Sequence, residues 1–304
     1  MSLRDDFIAP PLSVLDSRQG YWRERKAAWR AMGLAGGDGR PDELLADSHP
    51  IPDGAVSGCS TMMPTTSIFD PVLAQLLIEW FCPPGGDIID PFAGGPTRGV
   101  VASVLGRRYT GIDISGEQVD ADVEEAQSLR GEYEPRYLVG DSAQLVPQLD
   151  ECDMVLTCPP YYGLERYTDD PRDLSTMTPE AFARSYADVL AACSGRMRPG
   201  ALAALVVGDA RDGHGDYLDL PGLTVDCGRR AGLTLYNRMT YIQPYGTAPL
   251  RCARTFRASR KVTSVSEMVI VLRKPGEVRR IPAPMREPGD VCEQMVIDDI
   301  MRQA

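Results

Sequence analysis

Between residues 61 and 210 short apolar runs alternate with helical patterns, and this alternation limits the possible folds more than any other feature of the chain. Strand, helix, strand in that order reads as βαβ units, because two parallel strands can be joined only through a crossover. The expected fold class is therefore α/β, a doubly wound and mostly parallel sheet. A length of 304 residues accommodates one large domain with appendages. We expect an N-terminal extension over residues 1–60, the main domain over 61–275 and a C-terminal tail with a short helix over 276–304. In the extension, the patch around residues 21–32 carries Trp22 and Trp29 and reads as a packing helix. Residues 211–275 continue the sheet and contain a polar, basic insertion.

Each strand of the series ends in a residue with chemical capacity. The run 87–90 closes on Asp90 and leads into Pro91-Phe92-Ala93-Gly94-Gly95-Pro96, ahead of a helix from Thr97. Glycines at such a turn let a ligand approach the backbone closely. In open α/β sheets a nucleotide-like ligand sits beyond the carboxyl ends of the strands. The wording is not the Gly-x-Gly-x-x-Gly fingerprint, so a dinucleotide is disfavoured. About twenty residues on, a second run ends in Asp113-Ile114, where a carboxylate can accept from ribose hydroxyls. A third ends in Asp141-Ser142, placed to accept from an adenine amino group. The ordinary role of any one such aspartate is a helix N-cap; three in succession point to one shared cleft.

The fourth run, 152–157, stops at Cys158-Pro159-Pro160-Tyr161. Proline carries no N–H and fixes φ near −65°, so carbonyl oxygens here stay outside the ladder as free acceptors. With an aromatic ring following at once, the segment suits a flat base bearing an exocyclic amino group. The later run 206–211 ends in Gly208-Asp209 and reads either as a lining of the same cleft or as an ordinary strand exit.

Composition narrows the classes. Two histidines and eight cysteines without short paired spacing argue against a metal site and against a disulfide framework. No long uncharged apolar run is present, and the start of the chain carries Arg4, Asp5 and Asp6 in place of an apolar signal. We expect a soluble, cytoplasmic protein without metal or membrane. The net charge of −11 opposes a generally basic surface. Against that sign, residues 251–261 hold Arg251, Arg254, Arg257, Arg260 and Lys261, one phenylalanine and no acid. This reads as a phosphate-tracking loop.

Together these residues resemble the S-adenosylmethionine-dependent amino-methyltransferases of DNA, of phage and bacterial type. The family's first motif corresponds to Asp90-Pro91-Phe92-Ala93-Gly94, its acidic second motif to Asp113, and its catalytic Pro-Pro-Tyr segment to residues 158–161. Upstream, Thr66-Ser67-Ile68-Phe69 resembles the segment that closes over the methionine end of the cofactor. The resemblance implies a Rossmann-like methyltransferase fold. It assigns cofactor contacts to Thr66, Ser67, Phe69, Asp90, Phe92, Ala93, Gly94, Asp113, Ile114, Asp141 and Ser142, and catalysis to Cys158, Pro159, Pro160 and Tyr161. DNA is the implied partner, with a second copy or a specificity-supplying partner left open.

Cys158 departs from the Asp, Asn or Ser usual in this family, each a better acceptor than a thiol. It reads as a small strand-end residue, with a cysteine nucleophile as the other reading. The small residue tilts the expected acceptor towards cytosine N4 over adenine N6. Two other classes stay open: methylation of a nucleoside or small aromatic amine, and a non-catalytic module that binds S-adenosylmethionine and DNA.

Overall fold

The computed structural model describes residues 7–34, 68–129, 131–160, 168–212, 214–246 and 248–278. In chain order the elements are β1 (Val14–Asp16), α1 (Gly20–Ala31), α2 (Pro71–Phe81), β2 (Asp87–Asp90), α3 (Thr97–Val104), β3 (Arg108–Asp113), α4 (Gly116–Ser128), β4 (Arg136–Val139) and α5 (Ser142–Leu145). They continue with β5 (Cys152–Thr157), α6 (Pro179–Arg196), β6 (Met197–Val207), α7 (Leu220–Arg230), β7 (Thr234–Ile242), α8 (Ala248–Ser259) and β8 (Ser266–Arg273). The strands form one sheet in the order β1-β7-β8-β6-β5-β2-β3-β4. Every neighbour pair is parallel except the two that involve β8. The doubly wound, mostly parallel sheet expected from the sequence is the fold observed.

Side-chain alternation divides the core. Met154 and Leu156 of β5, with Leu202, Ala204 and Val206 of β6, pack on the face covered by α1, α2, α3 and α4. Val155, Ala203, Leu205 and Val207 face α6 and α7 on the other side. Period two sends successive side chains to opposite faces, and both faces are apolar because helices cover both. All six residues of β5 are buried.

The described part of the N-terminal stretch joins this core. β1 lies parallel to β7 as the edge strand, and Trp22 and Trp29 of α1 are fully buried, in line with a packing helix. Their indole N–H groups donate to Asp70 at 3.2 Å and to Gln75 at 2.9 Å, both at the start of α2. Asp70 is also the N-cap of α2, accepting from the N–H groups of Val72 and Leu73, and it pairs with Lys26 at 2.8 Å. One carboxylate thus closes a helix end and docks a second helix. Replacing it, Asp70→Ala, removes the cap and orphans a buried indole N–H. We expect a loss of roughly 2–4 kcal/mol, read from the urea midpoint at unchanged slope. A wild-type midpoint would show that the N-terminal helix is docked by its apolar face alone.

The basic run expected as a loop is helical: Arg251, Arg254 and Arg257 lie within α8. Alanine, leucine and arginine are good helix formers and Pro249 falls in the first turn, so charge was the weaker guide to local structure here. No helix among the described residues is long and apolar enough to cross a membrane.

Candidate active site

The strand order reverses at β2. From there the chain runs outward through β3 to β4, then returns to place β5 on the other side of β2. The crevice at such a switch point, outside the carboxyl ends, is where ligands of this architecture bind. Asp90, Asp113, the Gly140-Asp141 turn and Cys158 all stand at those ends.

Asp90 is fully buried. One carboxylate oxygen accepts from the Thr157 hydroxyl at 2.6 Å and the Phe92 N–H at 3.1 Å. The other accepts from Arg98 Nε at 2.6 Å and the Tyr109 hydroxyl at 2.7 Å. Four donors occupy about all the acceptor positions a carboxylate has. The side chain expected at the cofactor is turned inward, where it joins β2, β3, β5 and α3. Burial, with the Asp90 charge beside it, pushes the Tyr109 hydroxyl well above its ordinary range, so it stays a donor.

Arg98 completes the turn. Its Nη2 donates to the carbonyls of Phe92 and Ala93, each at 2.8 Å, and the guanidinium lies over the Phe69 ring at 4.6 Å. The backbone of residues 92–93 is thereby held from inside, and Phe69 is brought to the glycine turn. Gly94 has φ +50°, a conformation that favours glycine. Its N–H donates to Asp113 at 2.8 Å, while the other Asp113 oxygen accepts from Ser115 N–H at 2.9 Å. The cap of α4 is Ser115, not Asp113. The Asp113 carboxylate is half-buried and sits between the glycine turn and the β3 end.

Asp141 does cap a helix, the short α5, and accepts from the Ala143 N–H and from Gln144 Nε2. Ser142 is buried and donates to the Pro91 carbonyl at 2.5 Å, fastening the β4 end to the β2 end. Phe92 is half-buried, its ring 6.1 Å from that of Tyr186. Ala93 is buried and its N–H reaches the Ile112 carbonyl at 2.9 Å, while Ile114 is half-buried beyond β3. Cys158 and Pro160 are half-buried and Pro159 is buried, directly after Thr157. Thr66, Ser67 and Tyr161 lie outside the described residues.

Sequence reasoning missed Arg98, Tyr109 and Thr157. The available signal was a charged residue in the otherwise small and apolar helix 97–104, and a threonine closing a wholly buried strand. Asp209, beyond β6, accepts from the N–H groups of Ala210 and Leu220, and burial raises its carboxyl above the usual value. It joins the β6 exit to the start of α7.

The basic residues divide by position. Arg254 and Arg257 are exposed on α8, and Arg251 is half-buried on its inner side. Arg260 lies over the Phe256 ring at 5.6 Å, and Lys261 Nζ reaches the His214 carbonyl at 3.5 Å. Among the described residues no group of three or more His, Cys, Asp or Glu side chains is arranged to hold a metal ion.

Residues 66–124 match the family model for N6/N4 DNA methylases, described as DNA methylase. The segment runs from the residues before α2 through the glycine turn and Asp113 into α4. No curated protein matches the chain. Among solved structures, TrmN from Thermus thermophilus is 24% identical over 68% of this chain and 49% of its own, with a TM-score of 0.47. The chain thus spans about half the length of that protein. A candidate RNA methyltransferase from Pyrococcus horikoshii is 15% identical over 83% of this chain and 99% of its own, with a TM-score of 0.48. A candidate DNA modification methylase, also from Thermus thermophilus, is 22% identical over 47% of this chain and 54% of its own, with a TM-score of 0.35. At these values the likenesses carry nothing about the acceptor.

Proposed function

We propose that this chain, which shares the N6/N4 DNA methylase pattern over residues 66–124, transfers a methyl group from S-adenosylmethionine to the exocyclic amino group of a DNA base. The observation that carries this reading is the meeting of three features at one switch point. These are the glycine turn, the half-buried Asp113 bonded to it, and the Cys158-Pro159-Pro160 segment, whose preceding Thr157 is tied to the same Asp90.

The residues fit such a cofactor better than a diphosphate. Pro96 stands at the N-cap of α3 and has no N–H, and Arg98 is sealed against Asp90. Of the features that cradle phosphates, the turn thus lacks the N–H at position 96, and the nearby cation, Arg98, is already paired. The carboxylates nearby favour a cation. Asp113 would accept from the ribose hydroxyls and Asp141 from the adenine amino group. Phe92, Ala93, Gly94, Ile114 and Ser142 shape the pocket, with Thr66, Ser67 and Phe69 at the methionine end. Asp90 acts through the turn, as a positioning residue. When bound, S-adenosylmethionine supplies an electrophilic methyl group on a sulfonium.

An aromatic amine is a poor nucleophile because its lone pair is delocalised into the ring. The Pro159 carbonyl would accept a hydrogen bond from the amino group and favour a pyramidal nitrogen, whose lone pair is then available to the methyl donor. Tyr161 stacks on a base taken out of the duplex, where the amino nitrogen is otherwise out of reach. Holding the reactants in line lowers the barrier by several kcal/mol. Transfer would leave the sulfur neutral, as S-adenosylhomocysteine, and release one proton from the nitrogen; position 158 carries no carboxylate to take it. The small Cys158 favours cytosine N4 over adenine N6. Arg254 and Arg257 contact phosphates, with Arg251, Arg260 and Lys261 supporting them.

The test is incubation of the protein with isotope-labelled S-adenosylmethionine and unmodified DNA, then digestion and mass spectrometry of the nucleosides. We expect labelled N4-methylcytosine, or else N6-methyladenine. Cofactor binding without label in DNA would overturn the DNA assignment in favour of a small aromatic amine or a non-catalytic role.

A further inference from the structure

We propose that α8 enters duplex DNA, with Leu250 wedged between base steps and Arg254 and Arg257 holding the flanking phosphates; this rests on the reading of the chain as a DNA methylase. The first support is topological. β7 runs parallel to β6, β5 and β2 through the sheet, since only β8 is reversed. The connection from β7 to β8 therefore leaves the sheet on the same edge as Asp90, Asp113 and Cys158. Ile242 pairs with Ser266, so residues 243–265 fill a place where a hairpin needs two to five residues. A connection about five times that length on the site edge is a functional insertion.

The second support is the pattern on the helix. Leu250, Arg254 and Arg257 fall at i, i+4 and i+7, which is one stripe of a helix. All three are exposed, Leu250 by 83%, while Ala248 on another face is buried. A lone exposed leucine is ordinary on a protein surface. This one is aligned with arginines, on a helix without acidic residues, in a chain of net charge −11. The charge pattern is complementary to phosphate and opposes pairing of α8 with a second copy of itself. An apolar side chain amid phosphate-binding cations is the composition of elements that unstack bases.

The insertion is held at both ends. The Arg18 guanidinium lies over the Tyr245 ring at 4.7 Å, the Gln243 N–H donates to the Val265 carbonyl at 3.0 Å, and Lys261 reaches the His214 carbonyl. The helix is thus presented on a fixed base, and methyl transfer to a paired base needs such a device because unstacking must be driven by binding.

The test uses the full chain with a DNA duplex carrying 2-aminopurine at several positions, whose fluorescence rises on unstacking, and with the same strands heat-denatured. We expect the wild type to raise fluorescence on the duplex. Leu250→Ser should cut that rise at least fivefold and lower the ratio of duplex to denatured-strand methylation about tenfold. Arg254→Gln with Arg257→Gln should weaken duplex binding and reduce the slope of log affinity against log salt by about two. No rise with the wild type, an equal rise with Leu250→Ser, or a Leu250→Ser effect confined to self-association would overturn the wedge. Absence of labelled DNA with a Leu250-dependent fluorescence rise would retain the wedge and remove the methyl-transfer reading.

Discussion

Asp90→Ala is expected to lose about 3–5 kcal/mol of stability, the cost of leaving a buried cation without its partner. Arg98 cannot follow the lost carboxylate into solvent, because its Nη2 is held by the carbonyls of Phe92 and Ala93 and its plane is covered by Phe69. The hydroxyls of Thr157 and Tyr109 lose their acceptor in the same step. Asp90→Asn keeps the volume but leaves the guanidinium charge unpaired, so most of the loss should remain. Removing both charges together, Asp90→Asn with Arg98→Met, should recover part of it, since neighbours in one network do not add. Urea unfolding of the four proteins checks this. A wild-type midpoint for Asp90→Asn would show that Asp90 is not the electrostatic centre of the fold.

That network bears on function through position. Asp90 ties the end of β5 to the end of β2, so the residues that follow each strand are set against one another. Phe92 and Gly94 follow one; Cys158 and Pro159 follow the other. The two strand ends that, in our reading, carry the cofactor and acceptor sides of the crevice are thereby spaced by one buried carboxylate.

Much of this was legible before the structure, for reasons that differ by element. The central strands were plain because a parallel strand covered on both faces must be apolar throughout, as β5 is. The ends of β2, β3 and β4 were marked by aspartates, and local chemistry at a strand end survives into the fold. What those aspartates contact was not legible. Asp141 caps a helix, Asp113 binds a turn nineteen residues away, and Asp90 meets Thr157 sixty-seven residues on. Contacts across such separations depend on the strand order, which periodicity does not encode. β1 escaped notice because three residues, one of them the half-exposed Val14, carry no period. The helicity of α8 was hidden by its charge: the arginines were read as a group, whereas Leu250, Arg254 and Arg257 have the i, i+4, i+7 spacing of a helix face away from the buried Ala248.

Asp113→Ala is expected to weaken S-adenosylmethionine binding roughly ten- to a hundredfold. A hydrogen bond to a charged acceptor is worth about 1.5–3 kcal/mol, and each 1.4 kcal/mol is tenfold. Two roles are combined in this side chain, since it anchors the Gly94 N–H and, in our reading, accepts from the ribose. Calorimetry with the cofactor and with its 2′,3′-dideoxy analogue separates them. If the carboxylate binds ribose, the wild type should bind the analogue much more weakly than the cofactor, and Asp113→Ala should distinguish the two far less. If it only anchors the turn, the variant should bind both weakly and keep the full difference between them. Equal affinity of wild type and variant for the cofactor would remove Asp113 from the site altogether. A loss of discrimination, with the cofactor-free melting temperature changed by only a few degrees, would place the ribose at the end of β3. The methyl donor would then face the glycine turn, beside Cys158 and Pro159 at the neighbouring strand end.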